Sequence, residues 1–218
     1  LRENNFNVKL IDANATGLSI EEAVNQILTL SPEYVGITSP TMLISTAGTI
    51  AKKLKEHNPD ITTIVGGPHI TAVPTETMTL YPDIDIGVIG EGEITIIALL
   101  NALKNKTDLG SINGVIYREN GSIKITPSRP FIKDLDTLPF PAWDMLPNLL
   151  KYYQQSAARI DRQPHISIVS SRGCPFQCIF CARNVFGNVT RAHSDDYLIK
   201  MIKYLIKRYG IKSISFED

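Results

Sequence analysis

Strand-like and helix-like segments alternate between residues 7 and 98, and this alternation is the strongest constraint on the fold. Short apolar runs predict four strands, at residues 8–11, 34–38, 61–65 and 84–89. Apolar residues at helical spacing predict four helices, at residues 20–28, 47–54, 74–80 and 94–103. Four strand–helix units predict an α/β fold with a doubly wound parallel sheet, Rossmann-like or flavodoxin-like, with helices on both faces. Such sheets bind ligands at the carboxyl ends of their strands.

A β-hairpin and a proline-rich segment follow the alternating region. Residues 114–118 and 122–126 flank Asn120-Gly121, a strong signal for a tight hairpin turn. Five of the 13 prolines then lie between Pro127 and Pro147, which argues against a regular element and predicts an ordered linker. We therefore predict a first domain over residues 1–126 and a linker over residues 127–162.

A second domain is predicted over residues 163–218. Ile166 and Ile168 alternate in a short strand, Ser194 precedes an amphipathic helix that ends before Gly210, and residues 213–216 begin another strand. A single βαβ unit cannot bury its own core, so this domain is predicted to be incomplete. The chain also begins with Leu1 rather than Met, and we expect its natural N-terminus to be missing.

Composition excludes several classes of protein. Lys+Arg and Asp+Glu both number 22, and this balance predicts neither a nucleic-acid nor a membrane partner. No apolar run approaches the roughly 20 residues of a membrane helix. The three cysteines form one tight group rather than an even, dispersed set, which favours a reducing cytoplasm over a secreted disulfide framework.

The cysteines carry the strongest chemical signal. Cys174, Cys178 and Cys181 have the spacing C-x-x-x-C-x-x-C, in a loop between a predicted strand and a predicted helix. Cysteine thiolates are the usual ligands of iron–sulfur clusters. A four-iron cubane on three cysteines leaves one iron without a cysteine ligand, and that iron is free to bind another molecule.

The cysteine loop resembles the cluster motif of the radical S-adenosylmethionine enzymes. The resemblance implies a [4Fe-4S] cluster whose fourth iron chelates S-adenosylmethionine, which is cleaved to a 5′-deoxyadenosyl radical when a donor such as flavodoxin or ferredoxin reduces the cluster. It also implies that residues 163–218 begin a partial TIM barrel that is cut short. Phe180, Glu217 and Asp218 match positions on the S-adenosylmethionine side, and the glycine-rich methionine-binding segment would follow Asp218.

Small and hydroxyl-bearing residues follow the predicted strands of the first domain. Their side chains allow close approach of a bulky ligand or hydrogen bonds to it. The four strand ends carry Asp12, Asn14 and Gly17; Thr38, Ser39 and Thr41; Gly66, Gly67 and His69; and Gly90, Glu91, Gly92 and Glu93. Upstream of a radical S-adenosylmethionine loop, these segments are similar to the cobalamin-binding domains of that superfamily. The resemblance implies a nucleotide tail against the sheet and a corrin ring over the strand ends.

One position departs from a common pattern of cobalamin domains. Many carry D-x-H-x-x-G after the first strand, and the histidine binds cobalt. Here the run is Asp12-Ala13-Asn14-Ala15-Thr16-Gly17, so Asn14 stands at the histidine position. A carboxamide is a far poorer cobalt ligand than imidazole, and Asn is well suited to a turn. We expect cobalamin to bind with its own base displaced and no protein nitrogen in its place, unless His69 supplies one.

Alternatives remain at both sites. The three cysteines with a histidine such as His193 could hold structural zinc, although no second C-x-x-C pair is present. Gly90-x-Gly92 partly matches a dinucleotide motif, but it follows the fourth strand and carries acidic residues that repel phosphate. A response-regulator-like domain is a further alternative, because such domains carry an Asp at a strand end, as Asp12 is here.

The resemblances together predict an enzyme. Most members of the family methylate an unactivated carbon atom, whereas some close rings and others use cobalamin differently. A non-catalytic cobalamin-binding module with a structural metal is the alternative of another class. The substrate, whether a small molecule or a peptide, cannot be identified, and the chain by itself is expected to be inactive.

Overall fold

The computed structural model describes residues 1–153 and 162–218, and the chain forms two compact units. The first unit comprises Leu1–Val8, Leu18–Phe131 and Phe180–Phe186; the second comprises Lys9–Gly17, Ile132–Ile179 and Gly187–Asp218. The strands are β1 (Tyr34–Thr38), β2 (Thr62–Gly66), β3 (Ile86–Val88), β4 (Val115–Glu119), β5 (Ser122–Ile125), β6 (His165–Ile168), β7 (Ser171–Arg172), β8 (Arg191–Ala192) and β9 (Ser213–Phe216). The helices are α1 (Ala13–Thr16), α2 (Ile20–Thr29), α3 (Ile44–His57), α4 (Pro68–Ala72), α5 (Pro74–Leu80), α6 (Gly92–Asn105), α7 (Leu149–Tyr152) and α8 (Asp195–Tyr209).

The first unit is built on a five-stranded sheet in the order β1–β2–β3–β4–β5. The first three strands are parallel, and the β4–β5 hairpin pairs antiparallel to β3. The predicted α/β class is confirmed. The strand predicted at residues 8–11 is wrong, because this segment pairs with no described strand and Leu10 is 44% exposed. A short apolar run becomes a strand only when another strand pairs with it, and the run itself does not encode that partner.

Helices cover both faces of this sheet, as the doubly wound prediction requires. Neighbouring residues Ile64 and Val65 of β2 pack into different apolar clusters. The cluster around Ile64 contains Leu99 of α6, whereas the cluster around Val65 contains Ala47 of α3 and Ile70 of α4. Successive side chains of a strand point to opposite faces, so α6 covers one face and α3 and α4 cover the other.

Signals confined to neighbouring residues are confirmed. Asn120 and Gly121 both have positive φ, 49° and 76°, as a type I′ hairpin turn requires. Ser194 begins α8 by accepting a hydrogen bond from the Tyr197 amide, and Gly210 ends it in the left-handed region. Residues up to four positions apart therefore determine these turns and caps.

The second unit contains the predicted βαβ arrangement, with β6 parallel to β9 and α8 between them in sequence. Its apolar core includes Leu205 of α8 together with Trp143 and Leu149, which lie in the predicted linker. The linker segment therefore supplies part of the core that the βαβ unit cannot make alone. Residues 154–161 of the predicted linker lie outside the described residues.

Amide hydrogen exchange on this chain is expected to separate the two units. Strand β2 lies between β1 and β3, whereas β6 pairs with β9 alone among the described strands. A two-stranded sheet with a small core opens more easily than the centre of a five-stranded sheet. The amides of Ile166 and Ile168 should exchange at least ~100-fold faster than those of Ile64 and Val65. Equal protection of the two strands would contradict this expectation.

The helices are short compared with the thickness of a bilayer. The longest one among the described residues, α8, has 15 residues, whereas a spanning helix needs about 20 apolar residues. None of the helices in the described parts of the chain is long and apolar enough to cross a membrane.

Candidate functional site

The carboxyl ends of β1 and β2 approach each other closely in the first unit. The Ser39 amide donates a hydrogen bond to the Gly66 carbonyl at 3.0 Å. Gly67 has a φ of 102°, and a Cβ atom there would lie 3.0 Å from both the nitrogen and the oxygen of Ser39 and 3.1 Å from Thr38 Oγ1. Only glycine fits this backbone, because any side chain would be strained and would clash with main-chain atoms. Gly67 is therefore required by the fold of the strand ends.

A threonine that the sequence analysis did not identify joins the ends of β2 and β3. The buried Thr71 Oγ1 donates to the Gly67 carbonyl at 2.9 Å and accepts from the Gly90 amide at 3.0 Å. At the same edge, His69 Nδ1 lies 3.2 Å from Thr41 Oγ1. His69 and Thr71 lie on α4, a short helix that the sequence did not predict. The structure thus links three of the predicted strand ends through hydrogen bonds.

Space lies open beside three glycines of this edge. A Cβ atom at Gly36, Gly66 or Gly90 would have no protein atom within 4 Å. Gly36 is paired in register with Ile64, and Thr38 is paired with Gly66, so these residues lie on one face of the sheet. Gly36 was not predicted from the sequence, because it lies inside a strand rather than after it. This face carries the exposed Gly36 and Thr38 beside the buried Ile64, and the open space next to the glycines can accept a flat or bulky group.

The fourth predicted segment starts a helix. α6 begins at Gly92, with the buried Glu91 at the N-cap and the half-buried Glu93 in the first turn. Carboxylates at a helix N-terminus are stabilised by the helix dipole, but they repel phosphate. The geometry therefore disfavours the dinucleotide alternative at this helix.

The Asp12–Gly17 segment belongs to the second unit. Asp12 Oδ1 accepts a hydrogen bond from the Ala15 amide at 2.9 Å, and Oδ2 accepts one from the Tyr153 hydroxyl at 2.6 Å. Burial, together with the Asp12 carboxylate, raises the pKa of Tyr153 to about 12. Both Asp12 oxygens are thus engaged, which disfavours the response-regulator alternative. Asn14 is exposed on α1, and Gly17 ends that helix with a φ of 71°.

The loop that carries the cysteines is closed at its base by a short antiparallel ladder between β7 and β8. The His193 amide donates to the Ser170 carbonyl at 2.9 Å, just outside this ladder. Inside it, the Cys174 amide donates to the Gly187 carbonyl at 3.3 Å. The loop therefore leaves and returns to the second unit at neighbouring points.

The three thiols are exposed. Within residues 1–153 and 162–218, no three Cys, His, Asp or Glu side chains converge as they would around a metal ion. That Cys174, Cys178 and Cys181 are cluster ligands stays a prediction, which rests on their thiol chemistry and their spacing in the sequence. His193, the residue considered for structural zinc, has its Nδ1 atom 3.0 Å from Asp136 Oδ1.

Asp218 contacts the segment that leads into the cysteine loop. Its Oδ1 atom accepts hydrogen bonds from the Ser170 and Ser171 amides at 2.7 Å each, and its Oδ2 atom accepts one from the Ser170 hydroxyl. Burial raises the pKa of this carboxyl group, but the hydrogen bonds from Ser170 and Ser171 outweigh burial and lower the pKa overall. Asp218 is consequently held as a carboxylate against the loop entrance.

The other two residues predicted on the S-adenosylmethionine side are exposed, as is Asp218. Glu217 Oε1 accepts a hydrogen bond from the Ser167 hydroxyl at 3.2 Å. Phe180 is 89% exposed and, with Cys181, groups with the first unit. Both residues are accessible to a ligand, and their role there stays a prediction.

Sequence comparisons relate the chain to cobalamin proteins. Residues 1–100 match the B12 binding domain family. Over 97% of its length, the chain is 39% identical to an uncharacterised methyltransferase of Pyrococcus horikoshii, of which it covers 45%. Over 94% of its length, it is 32% identical to an anaerobic magnesium-protoporphyrin IX monomethyl ester cyclase of Rubrivivax gelatinosus, of which it covers 36%. The chain thus spans less than half the length of these relatives.

Solved structures share the fold of the chain. The cobalamin-dependent S-adenosylmethionine radical enzyme OxsB, with aqua-cobalamin and S-adenosylmethionine bound, matches with a TM-score of 0.74 at 23% identity, over 96% of this chain and 28% of that one. The radical S-adenosylmethionine methyltransferase TsrM of Kitasatospora setae, with cobalamin and a [4Fe-4S] cluster bound, matches with a TM-score of 0.72 at 18% identity, over 98% of this chain and 42% of that one. At these identities the similarity establishes the fold.

Proposed function

We propose that this chain is part of a cobalamin-dependent radical S-adenosylmethionine enzyme, and that the full-length protein is a methyltransferase acting on an unactivated carbon atom. The observation that carries the proposal is the loop of Cys174, Cys178 and Cys181, which follows the first strand of a βαβ unit. Three thiolates at this spacing are suitable ligands for a [4Fe-4S] cluster that leaves one iron open to S-adenosylmethionine.

The strand ends of the first unit fit cobalamin. Gly36, Gly66 and Gly90 leave room for a bulky group, and the exposed hydroxyls of Thr38 and Thr41 can donate hydrogen bonds to it. Gly67 and Thr71 hold the strand ends in place behind this surface. The chemistry that the bound groups would supply is generation of a carbon radical on the substrate and delivery of a methyl group to it.

Ring closure without methylation is the second candidate function. The relative from Rubrivivax gelatinosus is a cyclase. The surface beside Gly36, Gly66 and Gly90 and the loop of the three cysteines suit either reaction equally. A non-catalytic cobalamin-binding module with a structural metal is a third candidate. The exposed thiols favour it less, since structural zinc is normally enclosed by four protein ligands.

The protein is proposed to act in the cytoplasm. Thiols that must remain reduced suit the cytoplasm, where a flavodoxin or a ferredoxin can supply the electron. The substrate is a small molecule or a peptide, and no nucleic acid or membrane takes part.

The experiment is anaerobic reconstitution of the full-length protein with iron and sulfide, followed by addition of cobalamin and S-adenosylmethionine. We expect about four irons per chain, bound cobalamin, and cleavage of S-adenosylmethionine under reducing conditions. Methyl transfer from labelled S-adenosylmethionine to a candidate substrate distinguishes methylation from ring closure. One zinc per chain with no broad visible absorption would support the structural-metal candidate and contradict the proposal.

Cobalt in the bound cobalamin is expected to lack a nitrogen ligand from the protein. Asn14 is exposed on α1 and offers only a carboxamide, which is a far poorer cobalt ligand than imidazole. Electron paramagnetic resonance of bound cob(II)alamin should therefore show no superhyperfine splitting from nitrogen. Splitting from one nitrogen would contradict the expectation, and its loss in His69→Ala would identify His69 as the ligand.

A further inference from the structure

The base of the cysteine loop is too short to fix the loop by itself. The ladder of β7 and β8 consists of the pairs Ser171–Ala192 and Arg172–Arg191. Isolated two-stranded ladders are marginally stable in water even when they are longer than this one. A loop that must present three thiolates to one cluster therefore needs further contacts at both of its ends.

Asp218 supplies such contacts at the entrance. It accepts hydrogen bonds from two consecutive backbone amides, Ser170 and Ser171, and from the Ser170 hydroxyl. A carboxylate that accepts from backbone N–H groups makes shorter and stronger hydrogen bonds than a neutral acceptor. Asp218 follows β9, which is paired with β6, so the entrance is anchored to the sheet of the second unit.

Asp136 supplies the matching contacts at the exit. Its Oδ1 atom accepts a hydrogen bond from the Ser194 amide at 3.0 Å and lies 3.0 Å from His193 Nδ1. The His193 ring stacks on Tyr197 with 4.1 Å between ring centroids, and the Tyr197 hydroxyl donates to the Leu138 carbonyl at 3.0 Å. Hydrogen bonding from Ser194, against the opposing effect of burial, lowers the pKa of Asp136, and His193 adds to this effect.

We propose that Asp218 and Asp136 are positioning residues of the cluster, one at each end of the cysteine loop. Neither carboxylate needs to touch iron or S-adenosylmethionine. Each fixes the backbone at one end of the loop, which reduces the conformations available to Cys174, Cys178 and Cys181 and lowers the entropic cost of bringing the thiolates together. Asp218 then acts on the loop. Its motif position had instead suggested a contact with S-adenosylmethionine.

The inference rests on the proposed function, because it assumes that the cysteines hold an iron–sulfur cluster. The test uses the full-length protein, reconstituted anaerobically, with the variants Asp218→Asn and Asp136→Asn. Asparagine keeps the size of the side chain and removes its charge. Asp196→Asn is the matched control, since Asp196 lies exposed in the first turn of α8 and loses the same charge from the same unit.

The rate of iron loss to a chelator is measured alongside the electron paramagnetic resonance spectrum of the reduced cluster before and after addition of S-adenosylmethionine. Positioning groups around metal ligands typically contribute 10- to 100-fold, so iron loss should accelerate about tenfold in each variant and remain at the wild-type rate in Asp196→Asn. The spectra of both variants should be broadened or mixed while their circular dichroism stays that of the wild type, which distinguishes altered cluster positioning from a general loss of stability.

Three results would each contradict either the proposed function or the positioning role. If the wild-type protein does not take up about four irons, the proposed function fails. If the wild-type protein takes up the cluster, and both variants lose iron at the wild-type rate, the positioning role is wrong. Equal acceleration in Asp196→Asn would also overturn it. Should either variant fail to fold by circular dichroism, Ser170→Ala, which removes one donor to Asp218 and keeps the carboxylate, should still accelerate iron loss about two- to threefold.

Discussion

Alanine in place of Cys174, Cys178 or Cys181 is expected to abolish S-adenosylmethionine cleavage by the full-length protein. In the proposed cluster each of the three thiolates would hold one iron, so a variant that lacks one thiol leaves that iron without its ligand. Cluster iron should fall to less than about a tenth of the wild-type amount, and cleavage by at least ~1,000-fold, since no other group can perform this chemistry. Iron and sulfide content and the yield of 5′-deoxyadenosine are the measurements.

Val189→Ala is the control for the cysteine variants. Val189 lies in the same loop and is 66% exposed, so its truncation changes the loop without removing a ligand. It should retain the iron content and most of the cleavage activity of the wild type. A cysteine variant that kept four irons and full cleavage would show that the substituted residue is not a ligand.

Leucine in place of Gly36 is expected to weaken cobalamin binding while leaving the first unit folded. A Cβ atom at Gly36 meets nothing within 4 Å and the residue is exposed, so we expect the larger side chain to fit in the free protein. Once cobalamin lies against this face, the same side chain occupies its space. Overpacking costs about 1–3 kcal/mol, which corresponds to roughly a 5- to 150-fold loss of affinity. Equilibrium titration with cobalamin, followed by absorbance, measures the change.

The size of the substituted side chain provides the internal control. Gly36→Ala should weaken cobalamin binding less than Gly36→Leu, because it adds one methyl group. Ser122→Leu places the same bulk on an exposed position of β5 in the same sheet and should leave the affinity unchanged. The melting temperature should not fall in Gly36→Leu, since glycine is itself unfavourable inside a strand. Wild-type affinity in Gly36→Leu would mean that cobalamin does not use this face.

The sequence predicted those features whose cause lies within a few residues. The Asn120-Gly121 turn needs only two residues with positive φ, and the caps of α8 need only Ser194 and Gly210. The apolar run at residues 8–11 looked locally like a strand, but strand formation depends on a partner that the run does not specify.

The candidate site was predicted in part for the same reason. The strand-end glycines and the cysteines belong to local patterns, and they could be identified from residue type and spacing. Thr71 could not be identified in this way. Its importance comes from a hydrogen bond that its hydroxyl accepts from the amide of Gly90, and Gly90 is distant in sequence. Asp136 lies in a segment interpreted as a linker, and only the fold brings its carboxylate to His193 and Ser194.

Two adjacent glycines at the end of β2 differ in how strictly the fold requires them. Gly67 is confined by its own backbone and by Ser39, so any replacement damages the folded domain whether or not a cofactor is present. Gly66 has free space beside it and no such confinement. A lineage that kept the domain but lost its ligand would therefore be free to drift at residue 66 while residue 67 stayed glycine. Glycine at residue 66 would therefore indicate that a homologue still binds the ligand, whereas glycine at residue 67 would indicate only that its domain folds.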